Sequence, residues 1–308
     1  MTSSLAQAGA AGLAAEAVAG NGLADHHDVK GMGAGSATGG GTGEGEVPVG
    51  RFASWRGVAL KARFKAAACH LGLSLSVAAL VLLLVYGFWY EAPLAAVSGV
   101  GTILVLLLAV DVTLGPLLTF LVFNRAKKSL PMDLAFIALI QVSALVYGLY
   151  TVEVGRPHYL VFVKDRFEAI SRADLQAEDL AAAAEVVSAR VNWFGPSWVA
   201  VQAPDDEKVR QDVLIESALG GRDLPHFPQW YQPMETQFAQ MKARALPLTT
   251  LRQLNPDKLG ELDERLAALK KDMEQVAYLP LKGAEADAAV LIDKADGKAL
   301  GMVDLKPW

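Results

Sequence analysis

The sequence predicts a membrane protein with three transmembrane α-helices, followed by a C-terminal extracytoplasmic α+β domain with a mainly antiparallel sheet. Three apolar runs each reach the roughly 20 residues that a helix needs to cross the hydrocarbon core of a bilayer. The last part of the chain then alternates short strand and helix patterns over about 150 residues, the size of one ordinary domain. Cys69 is the only cysteine, so we expect this domain to be stable without an intramolecular disulfide.

Residues 1–50 are rich in Gly, Ala, Ser and Thr. Such a composition buries too little apolar surface to offset chain entropy, and it predicts a disordered cytoplasmic tail. The tail has no basic segment followed by an unbroken apolar run, so we do not expect a signal peptide. Residues 51–67 form a basic juxtamembrane segment, which contains Arg51, Arg56, Lys61, Arg63 and Lys65.

The predicted transmembrane region covers residues 68–154, with helices at 68–89, 97–123 and 134–152. The loop between the first two runs contains no Lys or Arg, whereas the next loop contains Arg125, Lys127 and Lys128. Cytoplasmic loops carry the excess of Lys and Arg. This distribution predicts a cytoplasmic N-terminus and places residues 155–308 on the outer side of the membrane.

Within residues 155–308, apolar alternation and turn residues predict strands at 159–163, 167–170, 197–202, 276–281, 288–293 and 300–305. Acidic residues near its start and an alanine-rich body predict a helix at 174–190. Further helices are predicted at 205–219, 234–244 and 256–273, the last with leucines at helical spacing. An Asp-Gly pair at 296–297 predicts a hairpin turn between the last two strands.

Asp111 lies near the midpoint of the second apolar run. A charge at this depth is costly unless it is paired or neutralised. Three polar side chains are predicted to lie at similar depth, namely Thr113, Gln141 and Ser143. Three interpretations of Asp111 stay open: a structural hydrogen bond between two helices, a docking point for the transmembrane helix of a partner, and proton-linked chemistry.

Gly115 and Pro116 follow Asp111 after about one helical turn. Proline removes a backbone hydrogen bond, so we expect a kink in the second helix at this point. A packing role and a gating role are both compatible with the pair.

A proline-broken segment of the outer domain concentrates the aromatic residues Phe227, Trp230 and Tyr231. Aromatic residues dominate the energetics of protein interfaces, so this segment is a candidate interaction surface. The alternative is a loop that is folded over the domain core. A second aromatic group is predicted to lie in the core and consists of Trp193, Phe194 and Trp198.

Several functional classes are not expected. The outer region is acidic and has no basic stripes, which argues against nucleic-acid binding. The chain has no Walker loop, Gly-x-Ser-x-Gly or His-Glu-x-x-His motif. His158 and His226 have no second histidine at ligand spacing, so we expect no metal site. An intramembrane aspartyl protease needs two membrane aspartates, and the predicted spans contain only Asp111. We therefore expect no enzymatic activity and no cofactor.

Several strings along residues 60–308 are typical of one known family. They are 89–94 (Trp-Tyr-Glu-Ala-Pro-Leu), 110–119, 147–150, 221–225, 228–231 and 304–308. The string 110–119 is the most specific, because an acid and a Gly-Pro pair are both unusual in a spanning helix. On these residues the chain resembles the type IV pilin accessory proteins of the TfpX/TfpZ family. Residues 1–50 have no counterpart in that family, and Met32 is a candidate internal start.

The resemblance implies a multi-pass protein of the bacterial inner membrane with a periplasmic C-terminal domain. It implies a chaperone-like or regulatory factor that binds the major type IV pilin and promotes its assembly or surface display, without enzymatic activity. The implied partners are the pilin and membrane lipids. Pilins have an apolar N-terminal helix with an acid near its start and a charged amine, so Asp111 would be a docking point for such a helix.

The alternative function is a membrane-anchored sensor or regulatory protein with a ligand-binding periplasmic domain. A sensor normally carries a cytoplasmic output module. Here the predicted cytoplasmic parts are the N-terminal tail and the loop at 123–131, which disfavours this alternative. The sequence leaves open which pilin is served and what the oligomeric state is.

Overall fold

The computed structural model describes residues 49–219 and 221–308, with side chains from residue 60 onward. The predicted disordered tail, 1–50, lies outside the described residues except for its last two, with which the first helix begins. The basic segment 51–67 belongs to the same helix. This helix therefore begins well before the first apolar run.

Three long helices form the first half of the described chain: α1 (Val49–Leu84), α3 (Val100–Val122) and α4 (Leu130–Gly155). A π-helical turn, Val85–Trp89, extends α1, and a short helix α2 (Leu94–Ser98) lies in the following loop. The segments Leu60–Trp89, Val100–Val122 and Leu130–Gly155 are long and apolar enough to cross a membrane. The prediction of three apolar helices of spanning length is confirmed.

The second half is built on one sheet of eight strands. Its strands are β1 (Pro157–Val163), β2 (Arg166–Ser171), β3 (Ser197–Val201), β4 (Tyr231–Pro233), β5 (Leu246–Pro247), β6 (Val276–Lys282), β7 (Ala288–Asp293) and β8 (Ala299–Val303). The order across the sheet is β4-β3-β1-β2-β6-β7-β8, and β5 pairs with β6.

The sheet is mixed, and the prediction of a mainly antiparallel sheet is wrong. Strands close in sequence form antiparallel hairpins, such as β1 with β2 and β7 with β8. Two pairings at the centre are parallel, however: β1 with β3 and β2 with β6. Alternation in a single strand carries no information about the direction of a partner that is distant in sequence, so these pairings were not predicted.

The α-helices that follow α4 are α5 (Ala177–Ala182), α6 (Glu207–Ala218), α7 (Phe238–Arg244), α8 (Leu248–Leu254) and α9 (Leu259–Leu269). The helix predicted at 174–190 is wrong beyond Ala182, because the chain leaves the helix there and forms only a 3₁₀ turn at Val187–Ala189. This segment is rich in alanine but has no apolar stripe, and tertiary contacts override such a weak local preference. In α9, by contrast, Leu262 and Leu266 are buried at helical spacing.

One face of the sheet packs against the ends of the three apolar helices that lie next to it. Leu94 and Val97, in the loop between α1 and α3, share one hydrophobic core with Phe162 and Leu279 of the sheet. The opposite side of the domain is covered by α8 and α9, whose leucines pack on β6 and β7. Residues 49–308 consequently form one compact unit.

The loop between α1 and α3 is also joined to the domain by backbone contacts. Glu285 N donates a hydrogen bond to Val97 O at 3.0 Å. Gly99, between α2 and α3, has a φ of 69°, and a Cβ atom there would lie 2.5 Å from Glu285 Cγ. Only glycine combines this backbone conformation with such a close approach. The loop therefore fits closely against the domain.

Candidate functional site

The helix that carries Asp111 packs between the other two membrane helices, because α3 contacts both α1 and α4. Two glycines allow α3 and α4 to approach closely. A Cβ atom at Gly115 would lie 2.3 Å from Gln141 Nε2, and one at Gly148 would lie 2.6 Å from Leu107. Small residues at such contacts are typical of helix packing in membranes.

Asp111 is half-buried and is paired with Gln141 of α4. Gln141 Nε2 donates hydrogen bonds to Asp111 Oδ1 at 2.8 Å and to the Asp111 backbone oxygen at 3.2 Å. Gly115 makes this contact possible, because any side chain at that position would occupy the space of the amide. The geometry is that of a hydrogen bond between two helices, as the structural interpretation of Asp111 requires.

The other candidate residues of this region lie apart from the Asp111–Gln141 pair. Thr113 is exposed and donates to Ala109 O of its own helix at 2.7 Å. Ser143 is exposed and makes no hydrogen bond to Asp111 in the described part of the chain. Pro116 lies within α3, which continues through it from Val100 to Val122. Of the predicted group, the structure thus brings together Asp111, Gly115 and Gln141.

Two grooves meet at Asp111. The larger, about 540 Å³, lies between α3 and α4 and has an almost entirely apolar lining that includes Val110, Leu114 and Ile140. The smaller, about 100 Å³, lies between α1 and α4 and includes His70. Asp111 Oδ2 accepts no hydrogen bond from the residues that the structure describes. The carboxylate can therefore hold Gln141 with one oxygen and accept a donor from a ligand with the other.

The contact of α1 with α3 at the opposite end from the sheet was missed from the sequence. His70 Nδ1 lies 2.6 Å from Thr119 Oγ1, and Arg63 Nε donates to Phe123 O at 2.9 Å. Arg63 and His70 are seven residues apart and lie on one face of α1, and Thr119 and Phe123 are four apart and lie on one face at the end of α3. The helical period could therefore have indicated that these two faces meet.

The aromatic segment that contains Phe227, Trp230 and Tyr231 is mostly buried. Phe227 and Tyr231 are 5% and 3% exposed, whereas Trp230 is half-buried. Tyr231 donates a hydrogen bond to Pro225 O at 2.5 Å, and burial raises the pKa of its phenol well above the usual value. Arg222 lies over the Phe227 ring at 4.6 Å. Phe227 and Tyr231 are folded over the core, so Trp230 is the one of these three aromatic residues that a partner could contact.

A buried cationic residue connects the end of α4 to the domain. Arg156 has no exposed surface and donates to Asn192 O at 2.8 Å and to Gly195 O at 3.3 Å. Glu153 lies 3.9 Å from its Nε, and the Trp89 ring centroid lies 5.8 Å from its guanidinium carbon. Burial lowers the pKa of Arg156, and the nearby Glu153 carboxylate opposes that effect. The burial of Arg156 and its contacts with this loop were not predicted from the sequence.

The members of the second aromatic group, Trp193, Phe194 and Trp198, differ in their burial. Trp198 is half-buried and packs edge-on against Phe167 at 5.5 Å. Trp193 and Phe194 are 58% and 59% exposed, so the prediction that they lie in the core is wrong. Trp193 and Phe194 lie in the loop whose backbone carbonyl oxygens accept hydrogen bonds from Arg156.

Among the described residues, no group of three or more His, Cys, Asp or Glu has an arrangement that could hold a metal ion. The Asp-Gly turn forms as predicted, with Gly297 at a φ of 84° between β7 and β8. Asp293 accepts a hydrogen bond from Ala295 N at 2.8 Å and pairs with Lys271 at 2.9 Å. This carboxylate therefore stabilises the hairpin.

Part of the chain matches the model of a known protein family. The model of a family described as "Fimbrial assembly protein FimB" matches residues 58–99, which cover most of α1, the π-helical turn that extends it and α2. The C-terminal part of this segment packs against one face of the sheet. No solved structure shows significant similarity to the chain.

Three curated proteins of Dichelobacter nodosus are similar to the chain. The fimbrial assembly protein of serogroup I is 29% identical over 234 residues, which cover 75% of this chain and 90% of that protein. The protein of serogroup E1 is 28% identical with the same coverage. The fimbrial assembly protein of serogroups C1 and C2 is 36% identical over 118 residues, which cover 38% of this chain and 90% of that protein. On this similarity the chain belongs to the family of fimbrial assembly proteins.

Proposed function

We propose that this protein is a non-enzymatic accessory factor of type IV pilus biogenesis that resides in the bacterial inner membrane. The observation that carries the proposal is the similarity to proteins named fimbrial assembly proteins over 90% of their length. The resemblance to the TfpX/TfpZ accessory proteins agrees with it. A family name that describes assembly supports a factor without catalysis.

In this proposal the N-terminus is cytoplasmic and residues 155–308 are periplasmic. The support is the distribution of Lys and Arg in the loops. The proposed parts are a tail (1–50), a basic segment (51–67), a three-helix region (68–154) and a periplasmic domain (155–308). Because the sheet and the membrane helices share one core, the periplasmic domain would hold a fixed position over the bilayer.

The proposed partner is the major pilin, which would be bound in a chaperone-like or regulatory manner. The apolar groove between α3 and α4 is the proposed seat for the transmembrane helix of the pilin. Asp111 lines this groove and has one oxygen without a protein donor among the described residues, so it would accept a hydrogen bond from a donor on that helix. Trp230 is the proposed contact for the pilin head.

Deletion of the gene tests the proposal. We expect a deletion strain to lose most surface pili and to show an altered membrane pool of pilin, and we expect the intact chain to restore both. The measurements are sheared surface pilin and membrane-bound pilin, each quantified by immunoblot. A version without residues 1–50 is the matched control and should complement fully.

Asp111→Asn and Asp111→Ala extend this test to the site. If the free oxygen of Asp111 binds pilin, both variants should reduce piliation while the protein stays in the membrane at its normal level. Normal piliation in both variants would show that Asp111 serves only the contact with Gln141 and does not bind pilin. Normal piliation and pilin levels in the deletion strain would contradict the proposed function itself.

A further inference from the structure

The loop at residues 191–195 presents aromatic side chains at the outer end of the membrane helices. Gly195 N donates a hydrogen bond to Phe88 O at 3.0 Å. The rings of Phe194 and Phe88 lie 5.7 Å apart, and the rings of Trp193 and Trp89 lie 6.0 Å apart. Phe88 and Trp89 are the last residues of the first candidate span. The loop therefore lies at the level where this span ends.

The side chains of this loop are unusually exposed for their type. More than half of the surface of Trp193 and of Phe194 is accessible, and Val191 is 49% exposed. Residues 191–197 contain no charged side chain. If these two aromatic rings were exposed to water, the protein would lose the favourable free energy of burying their apolar surface. The patch continues directly into the exposed surface of Phe88, which belongs to the spanning segment.

Buried contacts hold the loop in place. Arg156 follows the last residue of α4 and binds the carbonyl oxygens of Asn192 and Gly195, on both sides of the two aromatic residues. The loop is thus attached to the ends of two spanning segments, α1 through Phe88 and α4 through Arg156. Rings held in this way cannot withdraw into the domain core.

We propose that Trp193 and Phe194 insert into the boundary between lipid headgroups and acyl chains in the leaflet that faces the outer domain. Tryptophan and other aromatic residues are enriched at this depth, because an amphipathic ring is stable where apolar and hydrated regions meet. The loop would act as a further attachment of the domain to the bilayer, beside the three helices. The proposal rests on the helices spanning a bilayer and does not depend on pilin.

Spin labelling of the full chain in phospholipid nanodiscs tests this proposal. In a Cys69→Ser background, a nitroxide would be attached at Phe194→Cys and, separately, at Trp193→Cys. Asp205→Cys is the matched control. It is exposed and follows β3, whose five residues lead away from the loop over about 16 Å at 3.3 Å per residue. Collision rates with oxygen and with a water-soluble nickel complex give the depth of each label.

We expect the labels at 193 and 194 to collide more with oxygen than with nickel, and the label at 205 to show the reverse preference. Equal nickel accessibility at all three positions would overturn the proposal, because the loop would then lie in water. Exclusion of both reagents from 193 and 194 would also overturn it, because the rings would then be covered by protein, such as a second copy of the chain. Since no pilin is present, these results are independent of the proposed function.

Discussion

Replacing Gly115 with alanine is expected to destabilise the membrane helices and to break the contact between Gln141 and Asp111. The new Cβ atom would lie 2.3 Å from Gln141 Nε2, so the amide would have to move. Overpacking of this kind costs about 1–3 kcal/mol, and the displaced amide would leave Asp111 Oδ1 without its donor. The measurement is the midpoint of thermal unfolding of the full chain in nanodiscs, which should fall.

Two controls connect this effect to the Gln141 side chain. Gly72→Ala is the matched control, because a Cβ atom at this position of α1 meets nothing within 4 Å and should leave the midpoint unchanged. In a Gln141→Ala background the space is free, so adding Gly115→Ala should cost little there. A Gly115→Ala variant as stable as the parent, or one that loses as much in the Gln141→Ala background, would refute the steric explanation.

Arg156→Ala is expected to have the largest effect on stability. The substitution leaves Glu153 without its nearby cation and removes the donors of Asn192 O and Gly195 O. Removing one partner of a buried ion pair typically costs about 3–5 kcal/mol. We expect the fully buried position of Arg156 to give a loss in this range, measured as the free energy of unfolding in mixed micelles.

The controls for Arg156 distinguish geometry from charge. Arg156→Lys keeps the charge, but a single ammonium group cannot reproduce the planar fork that reaches two carbonyls, so an intermediate loss is expected. Arg172→Ala removes an exposed arginine of the same domain and should change stability by less than about 0.5 kcal/mol. Equal effects of Arg156→Ala and Arg172→Ala would show that the buried contacts contribute nothing.

The three apolar helices could be predicted from the sequence because a bilayer imposes a length and a composition on each helix by itself. The topology of the sheet could not. β2 and β6 pair in parallel although more than a hundred residues separate them along the chain. Such a pairing depends on how the whole domain packs over the loop that carries Leu94 and Val97, and no local pattern reports it.

The candidate site could be predicted in part, because the depth of a residue in a single helix follows from its position in the sequence. The depth of Asp111 and Gln141 in their helices could be counted from the sequence, and the structure places them in hydrogen-bond contact. Gly115 was assigned only to a kink with a packing or a gating role, because its contact with the Gln141 amide requires the rotation of both helices to be known. Trp193 and Phe194 are exposed although they were assigned to the core, because the hydrophobicity of a residue does not distinguish burial in protein from exposure at the surface.

The central claim is that the groove beside Asp111 receives a pilin helix, and photocrosslinking in living cells tests it most directly. A benzophenone amino acid would replace Ile140, which is exposed in the groove, and as a control Leu80, which is exposed on α1 and does not line the groove. We predict a covalent adduct with pilin from position 140, none from position 80, and a weaker adduct from position 140 when Asp111 is alanine. Failure to obtain a pilin adduct from position 140 in piliated cells, or equal adducts from both positions, would contradict the account.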